Sequence, residues 1–547
     1  MPRLTSYTED VGPVEVAVIG AGINGLAVAR ELARLGRSVL LIDQDDIGAR
    51  TSAISSRLIH GGLKYLERLE INLVRESIRE RSILLKHAPH LVHPYPMLIP
   101  FRRGARRPGW LICCGLALHD LLSLGKPLPR NRIVSRRRLR AGWPSLAAGG
   151  ARWAGVFQDA HAPLTERLCI ELAIDAQAHG ATVLTHSRVE GLLNSGGRIA
   201  GIEYRDARDG SLRRVPAQVV VNAAGPWADE ILGFTGRRDR RIGPTKGSHL
   251  VVDSFPGAPP SCVFFESPDD ARPMFVLPWE GRYMIGTTDL PYDGDLSQIA
   301  TSGEEVDYLL RAVNRLIPGA ELSAADVLWS YSGVRPLPYV SGLDDPAKVS
   351  RDHEIVEHDG DLCGLITLVG GKLTTHRALG ELVGRRVMRM LGAPAAQSST
   401  RRARLPGAPS GDWERYRLDR VSNSPLPEYA VKRIVDTYGT ASELVERLVV
   451  ERESLGAVVH AESGALAAEL VYAVVEEGAQ TLEDVLLRRT TIGLGADLGL
   501  SAAEAACEVL VDHAGWSAEF AEQQLERYRK QVRRFCPRGS STRRGPR

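Results

Sequence analysis

The chain has 547 residues, enough for two to four packed units at roughly 100 to 200 residues each, and its 44% hydrophobic and 25% charged content excludes a disordered, collagenous or mucin-like polymer. A net charge of +3 is too small for a whole-chain polyanion binder, so nucleic acid is not an expected partner. Seven scattered cysteines without a Cys-x-x-Cys spacing exclude a disulfide framework and offer no zinc site, and Met1 to Pro13 has no basic-then-apolar stretch of the kind a secretory signal needs, so a cytoplasmic location is expected.

Val14 to Ile19 is an apolar run ending in Gly20-Ala21-Gly22-Ile23-Asn24-Gly25, after which Leu26, Ala29 and Ala33 recur at helical spacing before Gly36. Strand, tight turn, helix and cap follow from that order. Val39 to Ile42 supplies a second strand, closing on Asp43 eighteen residues past Gly25. This is a βαβ unit with a dinucleotide fingerprint. Its glycines permit the turn and let a pyrophosphate reach the helix amino terminus, and the acid at the end of the second strand accepts a ribose hydroxyl.

Between Arg102 and Arg140 stand eleven Lys or Arg residues and one acid, Asp120, around the apolar stretch Trp110 to Leu124. Gly115, His119 and Asp120 interrupt the stretch, and it is too short to span a bilayer. Two readings stay open: an interfacial anchor, with apolar side chains for the acyl boundary and arginines for anionic headgroups, or a buried helix with solvated arginines.

Leu164 to His179 reads as a helix, Ala181 to Leu184 and Arg198 to Tyr204 as strands, and Val219 to Val221 as a strand entering Asn222-Ala223-Ala224-Gly225. A nucleotide-binding unit rejoined so late in the chain favours a two-dinucleotide flavoprotein, and hence FAD rather than NAD. Arg237 to Leu328 carries short strand-like runs, such as His249 to Val252 and Met274 to Leu277, broken by Pro and Gly. From Arg401 the texture turns helical, at Glu428 to Tyr438, Ala465 to Glu476, Ala502 to Ala514 and Ala518 to Val532.

The expected fold class is α/β: a two-dinucleotide-binding (Rossmann-like) FAD domain with a sheet-rich substrate domain and a C-terminal helical domain. The expected boundaries are 14–100, 160–236 and 335–395 for a discontinuous FAD domain, 101–159 for the basic segment, 237–334 for the substrate domain and 401–535 for the helical domain, with flexible termini at 1–13 and 537–547.

Six strings then carry a resemblance. They are Thr51-Ser52 running through Ser55-Ser56-Arg57-Leu58-Ile59-His60-Gly61-Gly62-Leu63-Lys64-Tyr65-Leu66-Glu67, Asn222 to Trp227, Lys246-Gly247-Ser248-His249, Gly286-Thr287-Thr288-Asp289, Tyr331 to Leu337, and Gly370-Gly371-Lys372-Leu373-Thr374-Thr375. In this order they resemble the FAD-dependent glycerol-3-phosphate dehydrogenase family, the membrane-associated respiratory type, from Val14 to about Val532. The resemblance implies FAD, oxidation of sn-glycerol 3-phosphate to dihydroxyacetone phosphate, and electron delivery to a membrane quinone from an enzyme held peripherally at the anionic surface of the cytoplasmic membrane. A homodimer is compatible with it. Beyond Gly20, Gly22, Asn24, Gly25 and Asp43, it extends the cofactor-binding set to Thr51, Ser52, Ser56, His60, Gly61, Gly62, Ala224, Gly225, Gly371, Leu373 and Thr374.

The residue chemistry agrees. Such a reaction needs a flavin to receive hydride, a base for the hydroxyl proton and cations for the phosphate. His60, beside the side-chain-free Gly61-Gly62, is one candidate base and His249 is its rival. Tyr65 orients substrate or packs. Arg335, read as lying in a Gly-Val-Arg-Pro turn, is the leading phosphate clamp, and Arg351, beside Asp352, is a second. Lys372 follows Gly370-Gly371 near the start of a helix running from Thr375 to Met390, where it stabilises substrate phosphate or the reduced flavin. Lys64 stands where the family usually has arginine; it keeps the charge and loses the planar fork, which bears on affinity or substrate choice if it contacts phosphate. Two competing readings are a flavin oxidase of the same superfamily, acting on glycerol phosphate or an amino acid with oxygen, and a non-catalytic flavin-binding sensor.

Overall fold

Val16 to Ile19 and Val39 to Ile42 are buried throughout, as the centre of a parallel sheet covered on both faces requires. The computed structural model describes residue 4 and residues 11–207, 209–237, 239–342, 349 and 352–536, with the side chains of Lys64 and Arg68 excluded. Its first sheet runs Glu354–Glu357, Leu365–Val369, Leu212–Asn222, Val14–Ile19, Val39–Ile42, Ala181–Leu184. Along this order the neighbours are parallel except the edge strand Glu354–Glu357, and Arg188–Ser195 and Arg198–Arg205 join antiparallel beside Leu212–Asn222. The helix Ile23–Arg34 leaves Gly22 and packs against Thr165–Ala178 and His376–Met390, forming one apolar core with the sheet. The fold is therefore the expected two-dinucleotide arrangement.

The second, larger sheet orders Leu290–Pro291, Ile242–Val252, Arg282–Gly286, Pro273–Trp279, Cys262–Glu266, His93–Phe101, Trp153–His161 and Leu58–Ile59, with Val327–Pro338 added along Ile242–Val252. Sequence placed its strands within 237–334, yet His93–Phe101 and Trp153–His161 come from the stretches assigned above to the FAD domain and the basic segment. The reason is that the chain crosses to the second sheet early, so strands remote in sequence pair there. The expected helices of the C-terminal domain occur at Glu428–Tyr438, Ala467–Val475, Ala503–Ala514 and Ala518–Gln531. Several of them share a core with the second sheet, where Trp279 and Trp329 meet Leu470, Leu486 and Tyr528.

Candidate active site

The turn after Val14–Ile19 is closed by contact. A Cβ on Gly20 would stand 2.5 Å from the Ala223 carbonyl oxygen, and one on Gly25 only 1.8 Å from that of Gly20, so both positions exclude any side chain. Gly22 differs: a Cβ there would meet Ser52 Oγ at 3.3 Å and nothing else within 4 Å. It lines a cavity of about 240 Å³ together with Asn24, Asp43, Ser52, Ala224 and Gly225. The Asp43 carboxylate accepts from the Ala21 N–H at 2.6 Å and the Asp45 N–H at 2.8 Å. Burial, and then the neighbouring Asp45 carboxylate, push it up to about 7.

A second cavity of about 980 Å³ lies beside the first, and Thr51, Pro336, Gly370, Gly371 and Lys372 line both. His60 faces it. The ring is fixed from behind, because Nδ1–H donates to Asp159 Oδ2 at 2.6 Å, which leaves the Nε2 lone pair for the cavity. Asp159 is itself fully buried and accepts from the Gly61 N–H at 2.8 Å and Arg81 Nη1 at 2.7 Å. Burial favours its neutral form, but His60 and Arg81 outweigh that and hold the carboxyl below its usual range. The His60 backbone N–H donates to Thr374 Oγ1 at 2.9 Å, tying this residue to the segment that carries Lys372.

Opposite in charge character stand Arg335 and Lys372. Arg335 is in the strand Val327–Pro338, paired with Thr245, and not in the expected turn; the strand continues through Gly333 because that glycine packs its bare backbone against Ile54. Its Nη1 donates to Asp289 Oδ1 and its Nη2 to Thr287 Oγ1, both at 3.0 Å. Lys372 Nζ lies 4.1 Å from the centre of the Tyr65 ring, a cation–π contact that aims the ammonium at the cavity wall. It precedes its helix, which begins at His376.

His249 is placed differently. It is buried, stacks on Tyr331 with centroids 4.9 Å apart, and bonds through Nε2 to Ser56 Oγ at 2.8 Å. Burial, then the Arg335 charge, lower its pKa to about 3, so its neutral ring is a poor proton acceptor. Ser56 is thereby occupied with His249 and lines neither cavity. Of the remaining expected residues, Gly62 and Tyr65 line the large cavity and Leu373 the small one, while Arg351 and the Lys64 side chain lie outside the described residues.

A family model described as FAD dependent oxidoreductase matches residues 15–386, and one described as the C-terminal domain of alpha-glycerophosphate oxidase matches 398–521. A glycerol-3-phosphate dehydrogenase from Synechocystis sp. is 39% identical over 95% of this chain and 97% of its own length. The chain belongs to the FAD-dependent glycerol-3-phosphate dehydrogenase family. A D-erythritol 1-phosphate dehydrogenase from Brucella abortus is 35% identical over 87% of this chain and 94% of its own. Among solved structures, a glycerol-3-phosphate dehydrogenase from Bacillus halodurans complexed with FAD is 25% identical, with a TM-score of 0.78 over 96% of this chain and 95% of that one.

FAD is thus the cofactor of this family member, and the residues present fit it. The small cavity has a helix amino terminus with its backbone N–H groups, and the buried Asn24 Oδ1 on its wall has no hydrogen-bond partner among the described residues. Gly22→Val is expected to retain the fold, since the added methyls face the cavity, and to lose FAD. Flavin absorbance of the purified variant checks this; flavin content equal to the wild type would overturn the placement of the pyrophosphate. Sequence assigns no role to the two carboxylates that meet His60 and Arg335. Asp159 had one local signal, an acid in the apolar strand Trp153–His161 where burial demands a partner, and Asp289 stood in a quoted string without a role.

Proposed function

We propose that the enzyme oxidises sn-glycerol 3-phosphate to dihydroxyacetone phosphate and passes the electrons to a membrane quinone at an anionic membrane surface. The observation that carries this is the convergence, on one cavity, of an imidazole oriented by a buried carboxylate and two cationic side chains, Arg335 and Lys372. Bound FAD supplies the hydride acceptor, its flavin N5. His60 Nε2 takes the hydroxyl proton as the carbinol carbon gives up hydride, and the Asp159 carboxylate stabilises the imidazolium that results. Arg335 and Lys372 hold the phosphate and set the carbinol against His60.

The second half of the proposal rests on the helix Gly109–Leu122. Only Leu116 and His119 of it are buried, which speaks against the buried-helix reading of this segment. Trp110 is 68% exposed and Leu121 62%, while Leu111 and Leu118 turn toward the mouth of the large cavity. Arg102, Arg103 and Arg106 flank the same mouth, and Arg107 is paired with Glu67 and Glu266. Among the described residues no helix is long and apolar enough to cross a membrane. An apolar face rimmed by arginine suits a bilayer surface, and a cavity mouth beside it suits an apolar acceptor dissolved there.

One assay tests both halves. With vesicles containing anionic lipid and a quinone, glycerol phosphate is expected to drive quinone reduction and the protein to sediment with the vesicles. Both should weaken in salt, which screens surface charge within about 8 Å at physiological ionic strength. Turnover with oxygen alone would favour an oxidase. Sedimentation unaffected by salt or by neutral lipid would remove the electrostatic anchor. Faster turnover on erythritol phosphate would favour the longer polyol phosphate named for the Brucella relative.

A further inference from the structure

The loop after the strand Val39–Ile42 builds one wall of the small cavity, and its Asp46 takes no part in the dinucleotide fingerprint. Asp46 is 1% exposed, so its charge must be answered within the protein. The answer comes from the C-terminal domain. Arg488 Nε and Arg489 Nη1 each donate to Asp46 Oδ2 at 2.6 Å, and Arg489 Nη2 donates to Oδ1 at 2.8 Å. Both arginines sit on Asp484–Arg489, a single π-helical turn, a form that recurs at functional sites.

The same turn also reaches the adjoining wall. His186 Nε2–H donates to Asp484 Oδ2 at 2.9 Å, and the next residue, Ser187, lines the cavity. The two walls are joined directly, since the His186 N–H donates to the Asp45 carbonyl at 3.0 Å and the Ser187 N–H to that of Asp43 at 2.8 Å. Asp46, His186 and Asp484 stand close enough to hold a metal ion, but the two guanidinium groups already supply the positive charge there.

We infer that the π-helical turn Asp484–Arg489 positions the adenosine half of the FAD site, so that cofactor affinity is set partly by a domain that does not line the dinucleotide cavity. The inference rests on that cavity holding the adenosine end of FAD. Arg489 and Arg488 are positioning residues: they hold Asp46, and through it the loop that begins at Asp43, in the shape the ribose requires. A buried fork of this kind loses its function on removal of either partner, because the remaining charge is left unanswered.

Deflavinated protein titrated with FAD, followed by flavin fluorescence and competed with ADP, tests this in Asp46→Asn, Arg489→Met and Arg489→Lys. Dissociation constants for FAD and ADP are expected to rise together by tenfold or more in the first two variants and by less in Arg489→Lys, with unchanged far-ultraviolet circular dichroism. A staple that merely joins domains would lower the melting temperatures of apo and flavin-bound protein equally and leave both constants within twofold of wild type. That result overturns the inference, as does weakened FAD binding with ADP unaffected. Should Arg489→Met fail to fold, Arg489→Lys decides by whether its constants move beyond twofold. Gly22→Val, which touches neither arginine of the clamp, separates the two levels: if it also keeps FAD, the cavity assignment fails, whereas loss of FAD there with tight binding in the clamp variants sinks only the clamp.

Discussion

His60→Ala is expected to lower turnover by roughly 10²- to 10⁴-fold, about 3 to 5 kcal/mol of transition-state stabilisation, with little change in the Michaelis constant for glycerol phosphate. The ring faces the cavity while Asp159 holds Nδ1, so its removal deletes a proton acceptor without emptying the cation-lined end. Asp159→Asn should give a smaller loss of the same kind, because the amide can present the wrong group to Nδ1 and disturb the tautomer. Steady-state kinetics across pH checks both. Near-normal turnover in His60→Ala, together with collapse in His249→Ala, would transfer the role to the buried histidine.

Arg335→Ala should instead raise the Michaelis constant by roughly ten- to a hundredfold and erode the preference for glycerol phosphate over glycerol, as loss of charge-assisted hydrogen bonds predicts. Its pairing with Asp289 adds to the effect, for the variant leaves that carboxylate facing the phosphate without its 3.0 Å partner. Arg335→Ala with Asp289→Asn should therefore recover part of the loss. Intact discrimination in the single variant would move the clamp to Lys372.

Much of this was legible because it is local. The strands Val14–Ile19, Val39–Ile42 and Ala181–Leu184 fall where apolar runs bounded by turn residues put them. The helix Glu428–Tyr438 begins and ends as its spacing predicts. Residues beside the glycine pairs do line the large cavity, His60 and Lys372 among them, while Gly61 and Gly371 are glycine because Arg81 and Asn24 close in on them. What sequence did not give is partnership. Asp159 meets His60 across 99 residues and Asp46 meets Arg489 across 443, and neither pairing leaves a trace in spacing. Arg335 was misread as a turn residue because Gly333 and Pro336 are local breakers, and ladder pairing along Ile242–Val252 overrides them.

The order of strands in the first sheet carries a consequence for biosynthesis. Val14–Ile19 pairs with Leu212–Asn222, which pairs in turn with Leu365–Val369, so the sheet cannot be completed until the chain has emerged from the ribosome past residue 369. Until then the edge of Leu212–Asn222 that pairs with Leu365–Val369 has no partner strand. Closing loops of this length costs entropy before the contacts reward it, which makes folding slow and favours chaperone capture. The small cavity is lined by residues as far along the chain as Leu373, so a chain terminated within the second sheet lacks part of the flavin site and is expected to expose apolar strands rather than act as a smaller enzyme.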